Sequence, residues 1–215
     1  MRRSLAVVLL LVQPLYVIVE LLVARASSAP YSLRDNTISD LAAVSCTQIP
    51  YPAGPVPVCS PGHPWLNGAF IAFGLALVVG ALLLPRAWRP GRLGSVAVGC
   101  WVASGLSSIA TGLVPLDVDL ELHTLVSLPV FLAQPVALVL HGLALRGSGL
   151  GRWAVVTGVA SAVGMVGLFA VTMAATWHGA FERLALWPAY LWLGAFGLAV
   201  LQAARPGTTP PPTRS

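Results

Sequence analysis

Apolar residues run in six stretches of roughly 20 residues, and polar residues gather in the links between them. The stretches fall at about 5–24, 65–84, 94–114, 123–145, 153–176 and 184–203. Each is long enough to cross a bilayer core of about 30 Å as an α-helix. The pattern predicts an all-α, polytopic membrane protein: a six-helix transmembrane bundle forming one domain over 1–205. No strand is expected. One long connection, 25–64, joins the first two stretches. The tail at 206–215 is rich in Pro and Thr, cannot bury apolar surface, and is expected to be disordered.

Composition agrees with this reading. Charged residues are 9% and hydrophobic residues 57%, whereas a soluble domain is about a quarter charged. The net charge of +5 would suit a nucleic-acid partner. However, the basic residues are all arginines scattered through short links, where they act as topology signals and headgroup contacts. Membrane lipids are therefore the expected partners, and nucleic acid is not. No Walker-type loop, dinucleotide glycine pattern or Gly-x-Ser-x-Gly elbow is present, which argues against an ATP-driven machine and a soluble-type hydrolase.

The arginines orient the bundle. Nine of the twelve, Arg2, Arg3, Arg86, Arg89, Arg92, Arg146, Arg152, Arg205 and Arg214, fall on one side, while the seven acids lie on the other side or inside. By the positive-inside rule both termini are cytoplasmic, and the protein is expected in the cell membrane with its long loop outside. The first stretch also carries signal-peptide features, Arg2 and Arg3 before an apolar run and Ala24-Arg25-Ala26 after it. Its length and its interruption by Gln13, Pro14 and Glu20 favour a retained helix.

The outer loop holds Cys46 and Cys59, separated by twelve residues that include four prolines. An oxidising compartment permits a disulfide there, worth roughly 3 kcal/mol by loop closure. Neither cysteine has a second ligand at metal-site spacing, so no metal and no cofactor is expected. Ser39 is placed to cap a short helix, with Asp40 in its first turn.

The stretch Asn36-Thr37-Ile38-Ser39-Asp40-Leu41, the series Gly112, Pro115, Asp117 and His123, and the pair Glu182-Arg183 together resemble the domain-of-unknown-function family 998. That resemblance implies an uncharacterised six-helix membrane protein and supplies no reaction.

Ionisable residues at membrane depth are costly and mark candidate sites. Glu20 is expected to pair with Arg34 or Arg183. Asp119 and His123 stand four apart and would share a helix face. With His63, Asp40 and His178 they would form a hydrated acidic pocket at the outer helix ends, or face water separately. The candidate catalytic groups are Glu20, Asp40, Asp117 and His123. The candidate binding groups are Arg34, Asp35, Asn36, Ser39, His63, Asn67, Asp119, His178, Glu182 and Arg183. His141 reads as a neutral histidine packed between helices. Cys100, Ser104, Ser108 and Gly112 form a small-residue stripe suited to close packing within the molecule. Gln13-Pro14 and Gln134-Pro135 read as proline kinks or a faint internal echo. The favoured function is binding of a lipid, lipophilic small molecule or protein partner at the outer face. A membrane enzyme acting on a lipid or isoprenoid-type substrate, by hydrolysis or acid–base cyclisation, is the alternative, and a small transporter is third.

Overall fold

The computed structural model describes residues 2–172, 174 and 176–203; the tail expected at 206–215, and Arg205 and Arg214, lie outside the described residues. Among the described residues six helical spans are long and apolar enough to cross a membrane, and the chain is a multi-pass membrane protein. The first span, Arg2–Arg25, is two helices, α1 (Arg2–Leu11) and α2 (Leu15–Arg25). The others are α3 (His63–Leu83), α4 (Gly91–Leu113), α5 (Leu120–Ala144), α6 (Gly149–Ala170) and α7 (His178–Gln202).

Pro14 breaks the first span because it has no N–H for the Leu10 carbonyl. The Gln13 N–H takes that carbonyl instead, at 3.2 Å. The Gln13 side chain then donates from Nε2 to Leu9 O, the carbonyl its own amide has left, and to Phe73 O of α3, each at 3.2 Å. Gly194 of α7 accommodates the Pro14 ring; a Cβ there would lie 2.4 Å from Pro14 Cγ.

The helices form a closed ring. Each of α3 to α7 packs on the next, and α1 touches both α7 and α3. Gly74 and Gly105 let α3 and α4 approach so closely that a Cβ on either would sit 2.6 Å from the other's carbonyl oxygen. Ser108 of the small-residue stripe donates to Phe70 O at 2.8 Å, so the stripe serves packing within the chain. α6 begins a turn earlier than the hydropathy pattern suggests, because the Ser148 side chain caps it by accepting from Gly151 N.

The interior divides into two apolar layers. One, far from the long loop, includes Trp101, Leu138, Trp192 and Phe196. There His141 accepts from Trp101 Nε1 and donates from Nε2 to Trp88 O, so its ring is neutral. The other layer, beneath the loop, includes Tyr16, Ile38, Leu41, Phe70, Phe131 and Tyr190.

The loop departs from the all-helical expectation. It contains an antiparallel hairpin, β1 (Thr47–Tyr51) and β2 (Gly54–Val58), with Thr47 opposite Val58 and Tyr51 opposite Gly54. Pro50 faces Pro55 and Pro57 faces Gln48, so these prolines share one alternating set of positions. The other set keeps its N–H groups for the ladder. The Cys46–Cys59 disulfide closes the open end. Ile49 and Val58 pack with Ala43 and Leu116 beneath the hairpin.

Candidate functional site

Glu20, one turn after Tyr16 in α2, is fully buried. Of its two expected partners it meets Arg183, with Nε to Oε1 at 2.9 Å, and its other oxygen accepts from Trp187 Nε1 at 2.8 Å. Arg183 and Trp187 are one turn apart on α7, so a single helix face grips both carboxylate oxygens. The remaining guanidinium donors reach the long loop: Leu33 O at 2.7 Å, Asn36 O at 2.9 Å, and the Tyr31 hydroxyl.

The loop therefore lies across the start of α7. Ala180 N donates to Arg34 O, and Gly179 leaves no room for a side chain: a Cβ there would lie 2.0 Å from Asn36 O. Glu182, beside Arg183, accepts from Ile38 N. Trp177, before the helix, holds φ of 74°, a strained value for a non-glycine residue, and its N–H donates to Asp35 Oδ1. Asp35 also pairs with Arg34 at 2.9 Å. Hydrogen bonds from the Arg34 guanidinium and the Trp177 N–H hold its carboxyl down at about 2.

Asp40 acts as a hub. It accepts from Tyr51 OH at 2.7 Å, Thr37 N at 2.8 Å and Asn36 Nδ2 at 3.3 Å. Thr37 Oγ1 accepts from Asp40 N in return. Burial still pushes the Asp40 carboxyl above its ordinary value, against these hydrogen bonds. The expected cap is thus exchanged. Ser39 is the first residue of a 3-10 turn, Ser39–Ala42, rather than its cap, and no side chain of residue 38 can serve.

Freed from capping, the Ser39 hydroxyl lies 2.9 Å from His123 Nε2, and His123 Nδ1 lies 2.6 Å from Val114 O. Asp119 turns back on the start of α5 and accepts from Leu122 N. It therefore caps the helix while His123 points inward, and the shared face does not become a shared site. Asp117 accepts from Val44 N, Ser45 N and Ser45 Oγ within 2.9 Å. Burial raises its carboxyl, but these bonds outweigh burial and hold it below the ordinary value. Asn67 of α3 donates to Ala42 O at 2.8 Å.

Two cavities flank the Ser39–Ala42 turn. A cleft of about 120 Å³ lies between the hairpin and the start of α7. Its lining includes the polar residues Asp35, Thr37, Asp40, Tyr51 and His178 and the apolar residues Ala53, Pro55, Val56 and Ala174. A smaller cavity of about 20 Å³ lies inside the ring, bounded by Ser39, Ser108, Glu182 and Tyr190 among others. Of the four candidate catalytic groups, Asp40 borders the cleft; Glu20, Asp117 and His123 border neither cavity. His63 opens α3 and is part of neither. Among the described residues no three His, Cys, Asp or Glu side chains converge as metal ligands.

Tyr31, Thr37, Tyr51, Trp187 and the Val114 carbonyl complete the network and were not singled out from sequence as site residues. Trp187 carried a signal, since it stands one turn after Arg183. The three stretches behind the family resemblance meet here: Ile38 on Glu182, Asn36 on Arg183, Ser39 on His123, and Asp117 on the chain just beyond Ala43. No curated protein and no solved structure matches the chain. Residues 10–199 match the family described as "Protein of unknown function (DUF998)", and the chain belongs to that family.

Proposed function

We propose that this membrane protein binds a lipid or lipophilic small molecule in the cleft between the hairpin and α7, on the extracytoplasmic face of the cell membrane. The arginine distribution supports that orientation, with nine of twelve arginines at the end away from the loop or in the tail. The disulfide across the hairpin supports the same side.

The observation that carries the reading is the cleft itself. It is concave, its lining combines polar and apolar side chains, and its volume of about 120 Å³ approaches that of a cavity able to take a benzene-sized group. An amphiphile with a hydrogen-bonding head fits such a lining: Tyr51, Thr37 and His178 offer the polar contacts, and Val56 and Pro55 the apolar ones. A protein partner would need a broad surface rather than this enclosed volume.

The test places a benzophenone-bearing residue at position 56 in protein reconstituted into bilayer discs, with the same residue at position 163 of lipid-facing α6 as reference. The expected result is a higher yield of a discrete lipid or small-molecule adduct at 56, reduced by His178→Ala. A yield at 56 no higher than at 163, unchanged by His178→Ala, would refute the reading.

A further inference from the structure

We infer that Ser39 and His123 form a nucleophile–base pair that cleaves an acyl ester presented from the bilayer, at the inner cavity rather than the cleft. This does not rest on ligand binding at the cleft.

Hydrogen-bond chemistry assigns the protons. A backbone carbonyl only accepts, so His123 Nδ1 carries the hydrogen and donates it to Val114 O at 2.6 Å. In the neutral ring, Nε2 is then the acceptor, and the Ser39 hydroxyl at 2.9 Å donates to it. That is the state a general base needs, with a third group orienting the ring. The ring is held: His123 is 4% exposed, and Val114, which receives its proton, lies just past the end of α4.

A serine that only docked the loop would need the same hydrogen bond and nothing more. Ser39 also borders a cavity. Its walls of Phe70, Val130, Phe131 and Leu186 suit an acyl chain, and its free volume of about 20 Å³ matches one water molecule. Glu182 also borders the cavity, and by accepting from Ile38 N it fixes the backbone one residue before Ser39. It is a positioning residue.

The reaction balances with an ester and water. Ser39 Oγ bonds to the acyl carbon as its proton passes to His123 Nε2. The carbon–oxygen bond to the alcohol breaks, and His123 returns the proton to the departing oxygen. Water then gives a proton to His123 and bonds to the acyl carbon. The bond from the acyl carbon to Ser39 Oγ breaks as His123 Nε2 passes its proton to that oxygen, releasing a carboxylic acid and restoring the serine hydroxyl and the neutral ring.

The test treats the purified full chain in bilayer discs with a small alkyl fluorophosphonate and locates adducts by peptide mass. The expected result is one adduct on Ser39, absent in Ser39→Ala and slowed by about 100-fold or more in His123→Gln, the scale of a lost general base. The wild-type rate should rise with pH as histidine loses its proton, which a docking role would not produce. No adduct on Ser39, an adduct on Ser127 instead, or a rate indifferent to His123→Gln would overturn the inference. Where His123→Gln fails to fold, the wild-type pH profile decides: a rise sustains the base, and a flat profile removes it. The benzophenone yield at position 56 reports the cleft separately, so either reading can fail alone.

Discussion

Replacing Arg183 by leucine should do more damage than removing an ordinary ion pair, and the structure says how the loss divides. Glu20 is 0% exposed and Arg183 6% exposed along their side chains, so neither charge has water to fall back on. Removing one partner of a buried pair costs about 3–5 kcal/mol, mostly from the charge left behind. The same guanidinium donates to Leu33 O and Asn36 O, and each lost bond costs about 1 kcal/mol net where water replaces the donor. The first part should be recoverable. Glu20→Leu together with Arg183→Leu removes both charges and leaves the loop carbonyls as the main deficit. In thermal unfolding of detergent-solubilised protein, Arg183→Leu should lower Tm by about 10 °C or more. The double variant should regain over half of that loss. Trypsin cleavage at Arg34 should quicken in both, because the loop loses its anchor either way. A single variant within about 2 °C of wild type, or a double variant no better than the single, would refute the reasoning.

Three other consequences are open to measurement. Cys46→Ser with Cys59→Ser removes a closure worth roughly 3 kcal/mol of unfolded-chain entropy, so hydrogen exchange across β1 and β2 should accelerate while that of the six spans stays as it was. Asp40 and Asp117 should give pH dependences of opposite sign. With its carboxyl raised, Asp40 contributes most in acid, and that contribution declines as pH rises from about 3.9 through the raised value. With its carboxyl lowered, Asp117 contributes above about 3.9, and that is lost as pH falls through the lowered value. Unfolding of Asp40→Asn and Asp117→Asn against wild type, from about pH 3 to about pH 7, should therefore show difference curves of opposite slope. Gly179→Ala should push the loop off α7, because its Cβ would meet Asn36 O at 2.0 Å, whereas Gly68→Ala, with nothing within 4 Å, should leave exchange in the loop unchanged.

What was legible in the chain follows from which forces are local. The six spans could be read because bilayer thickness imposes a length and an apolar content on each one separately. The partner of Glu20 could be narrowed to Arg34 or Arg183 because an acid inside an apolar span requires a cation and few cations were within reach; the structure selects Arg183. The hairpin could not be read that way. Pro50, Pro55 and Pro57 look like strand breakers until the register shows them sharing one alternating set, and register is a relation between two strands. Asp119 and His123 show the converse error. Their four-residue spacing is real, but Asp119 sits at the helix start, where capping Leu122 N outbids any side-chain partner. Ser39 fails for a third reason: its hydroxyl answers to His123, which is 84 residues away. Two stretches that look like separate motifs thus act on the segment that holds the third, residues 33–45, from α7, α5 and the α4–α5 link. A motif read alone suggests a site of its own. The contacts suggest one joint, in which Arg183 and Glu182 set the backbone, Asp117 anchors its far end, Asp40 faces the cleft beside Asp35 and Thr37, and Ser39 faces the inner cavity. Because these two neighbouring residues face different cavities, Ser39→Ala and Asp40→Asn should separate an activity at the inner cavity from one at the cleft.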